Sequence, residues 1–188
     1  MNAGTFYVQF DSEFGGVRTA LPQLKRSGAK SSKWRMKLAD GGLEFAFATN
    51  FKTAGLPPQL PGEFRLRISW TRSDGEAKKA SDVSLFQYTS GAENAAFAAL
   101  QRTALEKYLA QPGKERFRDL YGYASDPAWL PRPNIEEWCY YFDTADARGW
   151  GAWYRGLLPA WIERFVAFPE ANDDWAWRVL WPHLKREK

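Results

Sequence analysis

Histidine and cysteine are nearly missing from this 188-residue sequence, which has one of each, His183 and Cys139. One cysteine forms no intrachain disulfide, and an N/S zinc site would have almost nothing to draw on. Any centre that needs two imidazoles is excluded. No apolar run approaches the ~18 residues of a membrane-spanning helix, so no membrane partner is expected. The opening MNAGTFYVQFDSEF has neither a basic n-region nor an apolar h-region. It therefore predicts no secretory signal and a cytoplasmic location. Phosphate-cradling motifs are also missing. Gly28-Ala29-Lys30-Ser31-Ser32 lacks the first glycine of a P-loop, and the glycines from Gly149 to Gly156 lack dinucleotide-fold spacing. No cofactor is expected and no catalytic residue is assigned.

Tryptophan is abundant instead. There are ten, and aromatics make up 16% of the chain, enough large apolar surface for a core and against disorder. Frequent Ala, more Arg than Lys and only three Ile fit the codon bias of a GC-rich bacterial genome. The length suits one globular domain over 1–188.

The two halves differ in period. Residues 5–10 (TFYVQF) alternate, with Phe6, Val8 and Phe10 on one face, and read as a strand. In 33–39, Trp34, Met36 and Leu38 oppose Lys33, Arg35 and Lys37. Asp40-Gly41-Gly42 signals a hairpin, and Leu43, Phe45 and Phe47 continue the apolar face. Three prolines interrupt 55–62. Phe64, Leu66, Ile68 and Trp70 then oppose Glu63, Arg65, Arg67 and Ser69, and 82–88 reads as a return strand. Such hairpins predict an antiparallel sheet of about five to six strands with one face covered. Beyond it, Ser90 and Glu93 have capping-box spacing before a helical run over 91–110. A short helix is expected at 114–121, and further helices near 134–143, 146–158, 159–168 and 173–184. Glu136-Glu137 and Asp173-Asp174 suit the starts of two of them. The fold class is α+β: a sheet portion over 1–90, then a Trp-rich helical portion over 91–188 packed on one sheet face.

Charge is unevenly placed. Residues 1–90 hold 13 basic and 8 acidic side chains; residues 91–188 hold 13 and 14. Between Phe14 and Ala39 every charge is basic: Arg18, Lys25, Arg26, Lys30, Lys33, Arg35 and Lys37. Strand alternation puts Lys33, Arg35 and Lys37 on an outer face, and Arg65 and Arg67 on another. Near-neighbour strands would merge these into one basic surface, with Lys25, Arg26 and Lys30 beside it. Clustered like charges repel unless an anion or acidic partner is met. A solvated face that discourages edge aggregation is the competing account.

Eight of the tryptophans fall between 129 and 181. Most are expected in the core. Trp175 and Trp177 cannot face the same way on one helix, so some Trp should be exposed, with Trp150 and Trp153 further candidates for a protein interface. Cys139 stands in Trp138-Cys139-Tyr140-Tyr141, an apolar setting that predicts a buried, inert thiol. His183 reads as a surface or helix-end residue.

Asp11-Ser12-Glu13 follows the first expected strand. It resembles the opening Asp-x-Glu motif of the proofreading-type exonucleases, and the resemblance implies carboxylates that bind Mg²⁺ or Mn²⁺ for phosphodiester cleavage. That family's later Tyr-x-x-x-Asp or His-containing motif does not occur, since Tyr140 and Asp143 are one residue too close. No metal is therefore expected, with Asp11 and Glu13 as the alternative ligands. The sequence favours a non-enzymatic protein that docks an acidic partner, nucleic acid or a nucleic-acid-associated protein, through the basic sheet face. The alternatives are an inhibitor or immunity-type protein acting through the Trp-rich lobe, and the metal-dependent nuclease.

Overall fold

A computed structural model describes residues 1, 3–27, 32–39, 41–49, 62–73, 78–115 and 137–167, with backbone alone for 72–73, 78–82 and 137–138. In chain order the elements are α1 (Ala3–Phe14), a 3-10 turn (Gly15–Thr19), β1 (Lys25–Ser27), β2 (Ser32–Leu38), β3 (Gly41–Thr49), β4 (Gly62–Ser73) and β5 (Lys78–Val83). A second 3-10 turn (Leu85–Tyr88), α2 (Gly91–Leu109), β6 (Glu137–Tyr141) and α3 (Thr144–Ala167) follow. The fold is α+β.

All strand pairs are antiparallel, in the order β1-β2-β3-β4-β5. The long β4 has two partners on its far side. Ile68–Ser73 pair with β5, and Gly62–Leu66 pair with β6. The β2–β3 hairpin pairs Leu38 with Gly41, so its loop is Ala39-Asp40. Gly41 has φ 149°, a value that favours glycine and that the sequence meets at the hairpin's exit.

Four expectations about elements are corrected. Residues 5–10 are helical, not a strand: Phe6, Phe10 and Phe14 recur every four residues along α1 and are all buried, while Val8 is 67% exposed. The apparent alternation of Phe6, Val8 and Phe10 was a short sample of a helical stripe. Residues 137–141 are a strand, not a helix, and Glu137 opens it. Trp, Cys and Tyr in succession suit a pleated, half-buried edge better than a helix. The return strand ends at Val83, and Leu85–Tyr88 wind into a 3-10 turn. The helices expected at 146–158 and 159–168 are one, running through Pro159. Arg155 and Gly156, on the side where the proline removes a backbone bond, are exposed, so water can satisfy the freed carbonyl. Residues 116–121 and the expected helix at 173–184 lie outside the described residues.

The covered sheet face carries Trp34, Met36, Phe45, Phe47, Phe64, Leu66 and Ile68, all buried as the alternation predicts. The helices lying on it are α1 and α3. Phe10 packs on Phe47 and Phe64, and Phe14 on Trp34 and Phe47. From α3, Tyr154 meets Phe47 and Phe64, Trp161 meets Phe45, and Phe165 meets Trp70. The spacing of Phe97, Leu100 and Leu105 predicts that α2, the helical run over 91–110, packs across this face. It packs instead on α3 and along β6, where Leu105, Tyr108 and Leu109 surround Tyr140. The buried Gln101 side chain accepts the Tyr140 N–H at 2.6 Å, which caps the free edge of β6.

Capping holds both long helices. Ser90 and Glu93 form the expected capping box of α2. Arg164 of α3 grips the same carboxylate through two bonds of 2.7 and 2.9 Å, and also donates to the Tyr88 carbonyl. At the start of α3, Asp143 and Asp146 exchange backbone N–H bonds in the same reciprocal manner. Lys107 of α2 bridges the two carboxylates at 3.0 and 2.6 Å.

Two glycines of α3 should respond in opposite directions. A Cβ at Gly151 would sit 2.4 Å from the Phe10 carbonyl oxygen, while one at Gly156 would meet nothing within 4 Å. Gly151→Ala should destabilise by about 1–3 kcal/mol by forcing α1 from α3. Gly156→Ala should stabilise by about 0.5–1 kcal/mol. Chemical denaturation of both variants checks this, and equal effects would overturn the close approach.

Hydrogen bonding from Arg164 lowers the Glu93 carboxyl to about 2, against a partly opposing cost of burial. A carboxylate depressed in the folded state stabilises above its unfolded value of 4.5, and that stability drains away as pH falls from there towards about 2. Glu93→Gln should therefore lose on the order of 2 kcal/mol at neutral pH. It should also flatten the stability profile between those limits in pH-dependent unfolding.

Candidate functional site

The sheet face turned away from α1 and α3 is built by the same alternation that fills the core. The pairing register sets its rows. One runs Lys25, Arg35, Glu44, Ser69. The next runs Ser27, Lys33, Ala46, Arg67. On one side lies Lys37, Gly42, Thr71, and on the other Ala48, Arg65, Trp138. β2 and β4 are thus separated by β3, whose positions on this face include Gly42, Ala46 and Ala48. With strands about 4.8 Å apart, cations on β2 and β4 stand about 10 Å apart across that strip.

Lys25, Arg35, Lys37 and Arg67 are exposed, and Lys33 and Arg65 half-exposed. Glu44 lies among them: Arg35 Nε donates to its carboxylate at 2.5 Å, and Lys33 Nζ is 4.0 Å away. The count of the hairpin could have found this contact. Leu38 pairs with Gly41, so each step back along β2 matches a step forward along β3, and Arg35 meets Glu44. Lys25 and Lys37 make no ion pair with any described residue.

Arg26 does not belong with the others. It pairs in register with Trp34, on the covered side, and its guanidinium meets Asp11 of α1 at 2.7 Å. Lys30 lies outside the described residues.

A cavity of about 760 Å³ opens where the first and third rows meet. Gln23, Lys25, Ser27, Arg35, Lys37 and Thr71 contribute to its lining, together with Met36, Gly42, Leu43 and Glu44, so that cations rim a largely apolar wall. Sequence reasoning found its cations. It did not find Gln23, Ser27, Gly42 or Thr71, whose convergence depends on the register of β1 and on a missing side chain.

The tryptophans divide. Trp150 was a candidate for a protein interface, but it is fully buried, and its indole N–H donates to the Tyr140 carbonyl at 2.8 Å. The α3 stripe that points at the sheet requires a large apolar group there. Trp161 is also buried and donates to the Leu85 carbonyl at 2.8 Å. Trp153 is half-buried, with its ring against Phe97, Trp150 and Tyr154. Trp175 and Trp177 lie outside the described residues.

Asp11 and Glu13 do not end a strand, because the segment is α1. Two residues apart on a helix they point about 200° apart, and each has its own cation. Asp11 accepts from Ser32 Oγ at 2.6 Å and pairs with Arg26, while Glu13 pairs with Arg155 at 3.3 Å. Among the described residues, no three His, Cys, Asp or Glu side chains are grouped to hold a metal ion. No described helix is long and apolar enough to cross a membrane. His183, Glu136, Asp173 and Asp174 lie outside the described residues.

Cys139 is buried as expected, with Sγ 3.5 Å from the Tyr154 hydroxyl. A thiol so enclosed should label slowly with an aromatic disulfide reagent in the native protein and stoichiometrically in denaturant. Rapid native labelling would show that β6 opens or is misplaced.

The chain matches no protein-family model, no curated protein and no solved structure.

Proposed function

We propose that this protein is a non-enzymatic binder of nucleic acid, engaging the phosphate backbone with the outer face of its sheet. One observation carries the reading. Six cations, Lys25, Lys33, Arg35, Lys37, Arg65 and Arg67, stand on β1, β2 and β4 around the small side chains of β3, and Glu44 is engaged by two of them.

The physical case follows from that arrangement. The sheet fixes the spacing of the strand positions that carry these cations, so contact has only their side-chain rotamers left to order, at about 0.5–1.5 kcal/mol each. Their mutual repulsion is relieved when a polyanion displaces counterions, and phosphate contacts of this kind give affinity without sequence readout. Small residues between the cationic strands let a backbone approach closely. An inhibitor acting through the tryptophans loses Trp150 to the core, which favours the basic face over the Trp-rich lobe.

The test is charge reversal on the outer face. Lys33→Glu with Arg67→Glu flanks Ala46 on one row and should weaken binding of a 20-nucleotide strand more than tenfold at low salt. It should reduce the slope of log K against log salt by about 1.4–1.8, two cations' share. Exposed charges contribute little to folding, so unfolding free energy should change by about 1 kcal/mol or less. Fluorescence anisotropy over a salt series reads both quantities. Unchanged binding would show the face to be merely solvated. Nuclease-resistant capture of an acidic protein, lost in the same variant, would transfer the surface to a protein partner.

A further inference from the structure

We infer that the cavity beside Gly42 is a pocket for a single phosphate-bearing nucleotide, free or as one unit of a strand. The inference rests on the anion-binding reading of the sheet face, and adds to it a site of defined size and chemistry.

Three features carry it. The first is space. The cavity measures about 760 Å³, within the range of about 300–1,000 Å³ that small-molecule sites occupy. Position 42, in its lining, carries no side chain. Gly42 lies in register between Lys37 and Thr71, and a Cβ built there would meet only the Met36 carbonyl oxygen, at 3.4 Å. The backbone conformation at Gly42 is not one that demands glycine, so turn geometry does not account for the residue.

The second feature is charge. Lys25, Arg35 and Lys37 line the cavity, and the single lining carboxylate, Glu44, is engaged by Arg35 at 2.5 Å. Lys25 and Lys37 make no ion pair with any described residue. Two unpaired ammonium groups and a fixed guanidinium favour an anion, and a phosphate monoester in particular.

The third feature is polar groups in the lining. Ser27 Oγ is buried, lines the cavity and has no hydrogen-bond partner among the described residues. A buried hydroxyl without a partner is costly, and a ligand hydroxyl or phosphate oxygen would satisfy it. Gln23 and Thr71 add an amide and a second hydroxyl. Cations for the phosphate, neutral donors and acceptors for a sugar, and volume left for a base describe a nucleotide better than a bare ion.

Gly42→Val tests the pocket without changing charge, because a β-branched residue suits a strand and its side chain would occupy the cavity. Isothermal titration at low salt would use adenosine monophosphate, inorganic phosphate and a 20-nucleotide strand as probes. The wild type should bind one nucleotide per chain, at least tenfold more tightly than phosphate. Gly42→Val should weaken that binding at least tenfold. Should Gly42→Val fail to fold, Lys25→Gln with Lys37→Gln replaces it, with the same expected loss. No nucleotide binding by the wild type overturns the inference, as does equal binding by the folded variant. Phosphate binding as tightly as the nucleotide also overturns it, since the volume would then serve nothing. Nucleotide binding without strand binding upholds the pocket for a free ligand and overturns the strand reading alone. Binding of both, each lost in its own variant, upholds both.

Discussion

The approach of α1 to α3 at Gly151 is the constraint on which the remainder depends. A Cβ there would lie 2.4 Å from the Phe10 carbonyl oxygen, so the two helices meet backbone to side-chain-free surface. That proximity lets both lie on one sheet face. Phe6, Phe10 and Phe14 then reach the sheet from one helix, and Tyr154, Trp161 and Phe165 from the other. Polar clasps finish the join: Arg148 donates to Gln9, Arg155 pairs with Glu13, and Tyr7 receives the Thr49 N–H at 2.9 Å. With the inner face filled in this way, every second residue of β2, β3 and β4 is turned outward.

Much of this was legible in the sequence, and the limits have physical causes. The sheet's inner set could be read because six or seven alternating residues per strand leave only one register that buries the apolar face. The capping box of α2 could be read because Ser and Glu at that spacing satisfy backbone groups locally. α1 could not be read from 5–10, since three aromatic or aliphatic positions fit both periods. Extending the window to Phe14 breaks the tie, because a strand would put Ser12 on the same face as Phe6, Phe10 and Phe14, whereas a helix groups the three Phe and turns Val8 and Ser12 away. β6 was hidden for another reason. Its register against β4 is set over some seventy residues of chain, and its outward Tyr140 is buried by α2, so no clean alternation marks it.

The outward face was legible in its charges and illegible in its shape. The positions of Lys33, Arg35, Lys37, Arg65 and Arg67 follow from alternation alone. The cavity does not, because it depends on β1 adding Lys25 and Ser27 beside β2, and on the gap above Gly42. Arg26 makes the same point in reverse. It stands between two outward residues, yet it reaches back to Asp11, which also accepts from Ser32, whose hydroxyl in turn accepts from the Trp34 indole. That chain of bonds fixes β1 to α1 and so positions the wall of the cavity.

The cations of this protein therefore divide into two groups by what their structural neighbours supply. Around the helices each described basic group in an ion pair has a dedicated carboxylate: Arg164 has Glu93, Arg155 has Glu13, Arg26 has Asp11, and Lys107 has Asp143 and Asp146. On β1 and β2 the ratio is reversed. Among the described residues, Lys25, Lys33, Arg35 and Lys37 have Glu44 alone, reached by two of them. Exposed ion pairs contribute about 1 kcal/mol or less to folding, so stability does not require the outer cations to be matched, and it does not require them to be there. Paired cations position the helices against the sheet. The surplus is held on the outer face of the sheet, where repulsion within the set favours contact with an anion from outside.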